Sequence, residues 1–152
     1  MEPFPHHYQV SASAANEGYV SLRAEDLQEI VSAPPAEFGG PGDKWSPESL
    51  LIAAVADCFI LSFRAIARAS KLEWTDLHCD ASGTLDRVER VTRFTAISVN
   101  ARLTLPAGAD AAENAAQIEK AEKLLHKAEA SCLITNSMLA DSTVTTEVAV
   151  AD

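Results

Sequence analysis

Residues 45–71 read WSPESLLIAAVADCFILSFRAIARASK, and the rest of the chain is organised around them. The opening is a helix start: Ser46 can cap, Pro47 suits the first helical position, and Glu48 puts negative charge where the helix dipole favours it. From Leu50 to Phe63 only Asp57 and Ser62 fall outside the apolar set. A helix that is apolar all round is a buried helix. The run is interrupted by an acid and falls short of the roughly 20 residues that a bilayer crossing needs, so a core helix is expected. Arg64, Arg68 and Lys71 complement the dipole at its C-terminal end. Cys58 stands in its middle.

Upstream of this segment, AEFGGPGDK (36–44) is too rich in Gly and Pro to be other than a loop. Before it, residues 6–15 alternate, with Tyr8, Val10 and Ala12 opposite His7, Gln9 and Ser11, as in a half-buried strand. Asn16-Glu17-Gly18 supplies a turn, Tyr19 to Ala24 alternates again, and a third short strand is expected over 28–32. Downstream, 72–85 and 93–105 read as long strands separated by the charged DRVERV, the second with Thr95, Ile97, Val99, Ala101 and Leu103 on one face. Asp110 and Glu113 form a capping box for a second helix, on which Ile118, Ala121, Leu125, Ala128 and Cys132 share one stripe. Residues 143–150 form the closing strand, with Val144, Thr146, Val148 and Val150 aligned. The order β-β-β-α-β-β-α-β is an α+β pattern of mainly antiparallel strands in a single domain, 1–152.

Composition narrows the function. A chain of 152 residues with net charge −10 and 47% apolar residues is an ordinary globular protein whose surface repels nucleic acid and anionic membranes. The acid is spread along the sequence. The N-terminus MEPFPHHYQV has neither a basic nor an apolar leader region, so the expected compartment is the cytoplasm. No glycine fingerprint for a dinucleotide and no P-loop is present. Cys58, Cys79 and Cys132 are widely spaced and show neither a secreted disulfide framework nor a metal-site pattern. His78 and His126 lack ligand spacing for zinc, and His6 and His7 read as exposed.

Two readings of the cysteines follow from pattern. Cysteine on an apolar helix face is commonly a small core hydrophobe. Alternatively Cys58 and Cys132, each on an inward face, meet at a site where one thiolate attacks a peroxide and the other resolves it as a disulfide. Their separation of 74 residues decides neither.

SPESLLIAAVADCF, followed some seventy residues later by AEASCLITNSM, resembles the two cysteine motifs of the osmotically inducible protein C and organic hydroperoxide resistance (OsmC/Ohr) family. The GGPG loop, the strand pair between the motifs and the closing strand fall in that family's order, so the resemblance covers essentially the whole chain. It implies an OsmC-like fold, with mainly antiparallel sheets wrapped around a long buried helix in an intertwined homodimer. It also implies a thiol peroxidase that reduces organic hydroperoxides, with Cys58 as the peroxidatic cysteine and Cys132 as the resolving one. The reductant would be a dithiol or a lipoylated protein, and no cofactor or metal would be needed.

Glu48 matches the family's motif glutamate, which helps to set an arginine beside the thiolate. Ten residues of helix, about 15 Å of rise, separate it from Cys58 in the same chain. Glu48 would therefore serve the partner subunit's Cys58. The arginine itself has no match here. Its two family positions fall at Ala15-Asn16-Glu17-Gly18 and Glu37-Phe38-Gly39, and the nearest basic residues are Arg23 and Lys44. This departure leaves two other functions open: a non-catalytic dimer that binds a small hydrophobic ligand in the same pocket, and a slow thiol redox sensor.

Overall fold

The computed structural model describes residues 2–152, which form two compact units, one ending at Leu51 and the other running from Ile52 to Asp152. The first unit contains three short antiparallel strands, β1 (Ser11–Ser13), β2 (Val20–Arg23) and β3 (Ile30–Ser32), in the order β1-β2-β3. The expected strand over 6–15 shrinks to the three residues of β1, and within one chain its expected inner face is uncovered: Tyr8 is 88% and Val10 71% exposed. Alternation alone marks a face without supplying a layer to cover it. After one turn of 3-10 helix (Ala36–Phe38), Gly39 and Gly42 both take positive φ, as the Gly-rich sequence requires.

Helix α1 (Pro47–Ala69) begins as its sequence dictates. Ser46 Oγ accepts from the Ser49 N–H at 3.1 Å, and Ser49 Oγ accepts from the Ser46 N–H at 2.8 Å, a reciprocal cap with Pro47 at the first helical position. At the other end Lys71 adopts φ +51° and the Leu72 N–H reaches back to the Ala67 carbonyl at 3.0 Å, closing a Schellman-type cap without glycine.

The second unit holds the core. Strands β4 (Asp76–Val88), β5 (Val91–Leu105) and β6 (Asp141–Val150) form one sheet with β5 central. On β5, Ile97, Val99, Ala101, Leu103 and Leu105 are buried, the face its alternation predicts. Val55, Phe59, Phe63 and Ala67 of α1 join them, as do Ala121, Leu125 and Ala128 of α2 (Ala111–Ser131), in one cluster. Trp74 packs edge-on against Phe63 with ring centroids 5.5 Å apart. A methyl group at Gly83 on β4 would lie 2.5 Å from Ile52 Cδ1, so glycine there admits the helix.

Two expectations are corrected in this unit. The DRVERV segment does not separate the strands; β4 and β5 run through it to a two-residue turn at Glu89-Arg90, where φ is +50° and +69°. Positive φ at both central residues is the geometry of a type I′ hairpin, and neither residue advertises it. In addition, α1 is not buried all round: its core face is covered, but Leu61 is half exposed. It is also longer than the apolar run suggests, 23 residues with a window of mean hydropathy 2.1. Length and composition therefore fit a bilayer crossing too, and it is the packed face of Val55, Phe59, Phe63 and Ala67 that makes it a core helix.

The non-glycine hairpin gives a direct test. Replacing Glu89-Arg90 by Asn-Gly should raise the unfolding free energy by about 1 kcal/mol, because both residues then adopt positive φ with little strain. Urea unfolding should show a higher midpoint at unchanged m-value.

Candidate active site at the junction of α1 and α3

Capping and periodicity bring two cysteines together. Asp110 accepts from the Glu113 N–H at 2.8 Å to start α2, whose inward stripe ends at Cys132, the junction between α2 and the short helix α3 (Leu133–Asn136). Cys132 is 1% exposed. Its carbonyl accepts from Thr135 Oγ1 at 3.1 Å and from the Asn136 N–H at 3.0 Å, which fixes the junction. Cys58, one turn before Ser62 on α1, faces this junction across an open groove of about 440 Å³. Ala54, Asp57, Cys58, Leu61, Ser62, Ala65, Leu133 and Ile134 line it.

The thiols differ sharply in their surroundings. Burial is the largest single influence on Cys58 and pushes its thiol up, but it is outweighed by hydrogen bonds from the Ile134 backbone, the Cys132 thiol, the Ser62 hydroxyl and the Leu133 backbone, which together hold it below its ordinary value. The Ser62 Oγ lies 3.9 Å from the sulfur. Cys79, on the inward face of β4, is pushed up to about 11, first by burial and then by the charge of Asp80, with Arg102 opposing. Cys58 is therefore the thiol held low and Cys79 the one held high. None of the three is part of a disulfide in this structure.

Glu48 lies in the first turn of α1, is not among the groove residues, and has its Oε2 buried without a hydrogen-bond partner among the described residues. The two basic residues nearest to the family's arginine positions are already engaged: Arg23 pairs with Glu29 at 2.6 Å, and Lys44 pairs with Asp43 at 3.1 Å and sits 5.4 Å over the Tyr19 ring. Among the described residues of this one chain, no cation is among the groups that lower Cys58. His78 hydrogen-bonds Asp80 at 3.1 Å on the exposed face of the sheet, and among the described residues no three His, Cys, Asp or Glu side chains are grouped to hold a metal ion. Ser62, Leu133 and Ile134 are the contributors that reading the cysteines alone passes over. The one signal for Ser62 is its polarity inside an apolar run, four residues after Cys58.

The model of the OsmC-like protein family matches residues 40–147. This chain belongs to the OsmC-like family. It is 30% identical over 135 residues to the uncharacterized protein YmaD of Bacillus subtilis, covering 88% of this chain and 87% of that one. Among solved structures it is similar to an OsmC-like protein of unknown function, VCA0330, from Vibrio cholerae, with TM-score 0.80 and 16% identity over 95% of this chain and 99% of that one. It is also similar to an organic hydroperoxide resistance protein OsmC from Legionella pneumophila, with TM-score 0.65 and 23% identity over 99% and 100% of the two chains. At these identities the two structures establish the shared α+β fold.

Because hydrogen bonds hold Cys58 down and burial holds Cys79 up, alkylation by iodoacetamide should label Cys58 at lower pH than Cys79. Removing the Ser62 donor by Ser62→Ala should shift the Cys58 pH–rate curve upward and slow labelling at neutral pH, read by peptide mass.

Proposed function

We propose that this OsmC-like protein is a thiol peroxidase that reduces organic hydroperoxides through Cys58 and Cys132. What supports the reading is the placement of Cys58 on the groove that α1 forms with Leu133 and Ile134, the two residues that follow the buried Cys132, together with a thiol held below its ordinary value. The shared fold with an organic hydroperoxide resistance protein of Legionella pneumophila supports the same reading.

The chemistry runs in three balanced steps. The Cys58 thiolate attacks the terminal peroxide oxygen, the O–O bond breaks, and the alcohol leaves with a proton while Cys58 becomes a sulfenic acid. Cys132 then attacks the Cys58 sulfur, expelling water and forming a disulfide. An external dithiol, free or carried on a lipoylated protein, exchanges twice with that disulfide and leaves oxidised, restoring both thiols. The apolar lining from Ala54, Leu61, Ala65, Leu133 and Ile134 suits an alkyl hydroperoxide over hydrogen peroxide.

The same reading takes the chain as one OsmC-like domain that works as a cytoplasmic homodimer. The uncovered side of α1, including the half-exposed Leu61, supports the second copy, since an apolar helix gains by covering both faces. The unpartnered Glu48 oxygen supports a role for that carboxylate across the dimer, toward the partner subunit's Cys58.

The absence of a cation beside Cys58 favours one other reading, a non-catalytic dimer that binds an apolar ligand in the groove. Intact mass separates the two. With one equivalent of cumene hydroperoxide, wild type should lose two hydrogens and two alkylatable thiols while Cys79 stays labelled, and Cys132→Ser should stop at a sulfenic acid. Cys58→Ser should lose at least about a thousandfold in peroxide consumption. Three thiols still reduced after minutes in excess peroxide would leave the ligand-binding reading.

A further inference from the structure

Of the motif SCLITNSM (131–138), the proposed chemistry uses Cys132 and the backbone of Leu133 and Ile134, and leaves the polar run Thr135-Asn136-Ser137 without a role. All three of these side chains donate to backbone carbonyls of the same turn. Thr135 Oγ1 donates to Cys132 at 3.1 Å, Asn136 Nδ2 to Ala130 at 3.2 Å, and Ser137 Oγ to Leu133 at 2.7 Å. They are not equivalent. Cys132 is the single non-helical residue between α2 and α3, with ψ at 105°, so the direction of α3 relative to α2 hangs on rotation about the Cys132 Cα–C bond. The Cys132 carbonyl turns with α3. The bonds it accepts, like the Ser137 bond to Leu133, therefore lie on the α3 side of that rotation. The Cys132 N–H, bonded to the Glu129 carbonyl at 3.1 Å, lies on the α2 side. Among the described residues, only the Asn136 amide joins the two sides of this turn directly by a hydrogen bond. It does so at one of the carbonyls that a helix end leaves without an internal partner, in a last turn that has no basic residue. Ile134 also packs against the core and sets the depth of α3. Apolar contact is non-directional, whereas a hydrogen bond weakens steeply with angle, so the amide is the group that sets orientation.

We infer that Asn136 is a positioning residue of the cysteine site: by holding α3 to the last turn of α2 it fixes where Leu133 and Ile134 stand relative to the Cys132 thiol, so that all three meet Cys58 together. Asn136 itself bonds to neither thiol. As a statement about how fast Cys132 resolves an oxidised Cys58 this rests on the peroxidase reading, but as a statement about what is set around the Cys58 thiol it does not.

Two reagents test it without peroxide, each followed by peptide mass on the whole protein. With iodoacetamide, Asn136→Ala should slow labelling of Cys58 by about three- to fivefold at neutral pH, because the backbone groups that favour its thiolate lose their aim. The two pH–rate curves should converge on one plateau at high pH, where every Cys58 is already thiolate. Diamide is attacked by one thiolate and then displaced as the hydrazine by a second thiol, which closes a disulfide. Closure between Cys58 and Cys132 should be slower in Asn136→Ala by about the same factor. Asn136→Gln, which keeps the amide on a longer stem, should recover most of both rates, and Ser137→Ala, which breaks a shorter bond on the α3 side alone, should match wild type. Labelling of Cys79 should be the same in all of them, since the sheet is untouched. A wild-type pH–rate curve and closure rate in Asn136→Ala, or equal losses in Ser137→Ala, would overturn the positioning role. If cumene hydroperoxide leaves the wild-type thiols reduced while alkylation and diamide behave as expected, the positioning role stands and the peroxidase reading falls.

Discussion

The structure depends on the seam where one face of α1 joins one face of β5. Val55, Phe59, Phe63 and Ala67 recur at helical intervals of four, Ile97 to Leu105 at strand intervals of two, and both sets are buried in the same cluster. Each large side chain in it contributes about 1.5–3 kcal/mol by leaving water. Because that face of the helix is committed to the sheet, Cys58, between Val55 and Phe59, is turned to the edge of the core, half-buried. The core face thereby decides the depth of the thiol.

The second cysteine is delivered by topology. β6 pairs with β5 in parallel, so the chain must leave the end of β5 and return to its beginning, and α2 is that return. Its inward stripe lies over the sheet, and its last inward position is Cys132. The junction that follows then turns the backbone, so that Leu133 and Ile134 line the groove beside Cys58 and their backbone favours its thiolate. One crossover thus supplies both the neighbouring thiol and part of the hydrogen bonding that favours the thiolate.

What the sequence made legible is whatever a short-range pattern encodes: the Ser46 and Asp110 caps, the α1 run, the alternation of β5 and the Cys132 stripe all stand where their periods put them. The misreadings have physical causes as well. The Glu89-Arg90 turn is invisible because its positive φ values are imposed by two long strands pairing in register, not by residues that prefer them. Tyr8 and Val10 alternate like a half-buried strand but have nothing within their own chain to lie against, since burial is a property of neighbours. For the site, the resemblance singled out Cys58 and Cys132 from their surrounding motifs, and Ser62 is local to Cys58, four residues on along α1, but the contributions of Leu133 and Ile134 depend on a contact between segments some seventy residues apart, which no local period carries.

The electrostatics of the groove bear on how its thiol works. A cation beside a peroxidatic thiolate does two things: it lowers the thiol pKa, and it holds negative charge on the departing oxygen. Hydrogen bonds from Ser62, Cys132 and the α3 backbone perform the first without the second, because they are directed at sulfur. In the proposed reaction the departing oxygen therefore needs a proton as the O–O bond breaks. A water molecule in the groove would supply it. Within one chain the neutral donors around Cys58 thus act on the sulfur alone, and any positive field on the departing oxygen has to come from outside these residues.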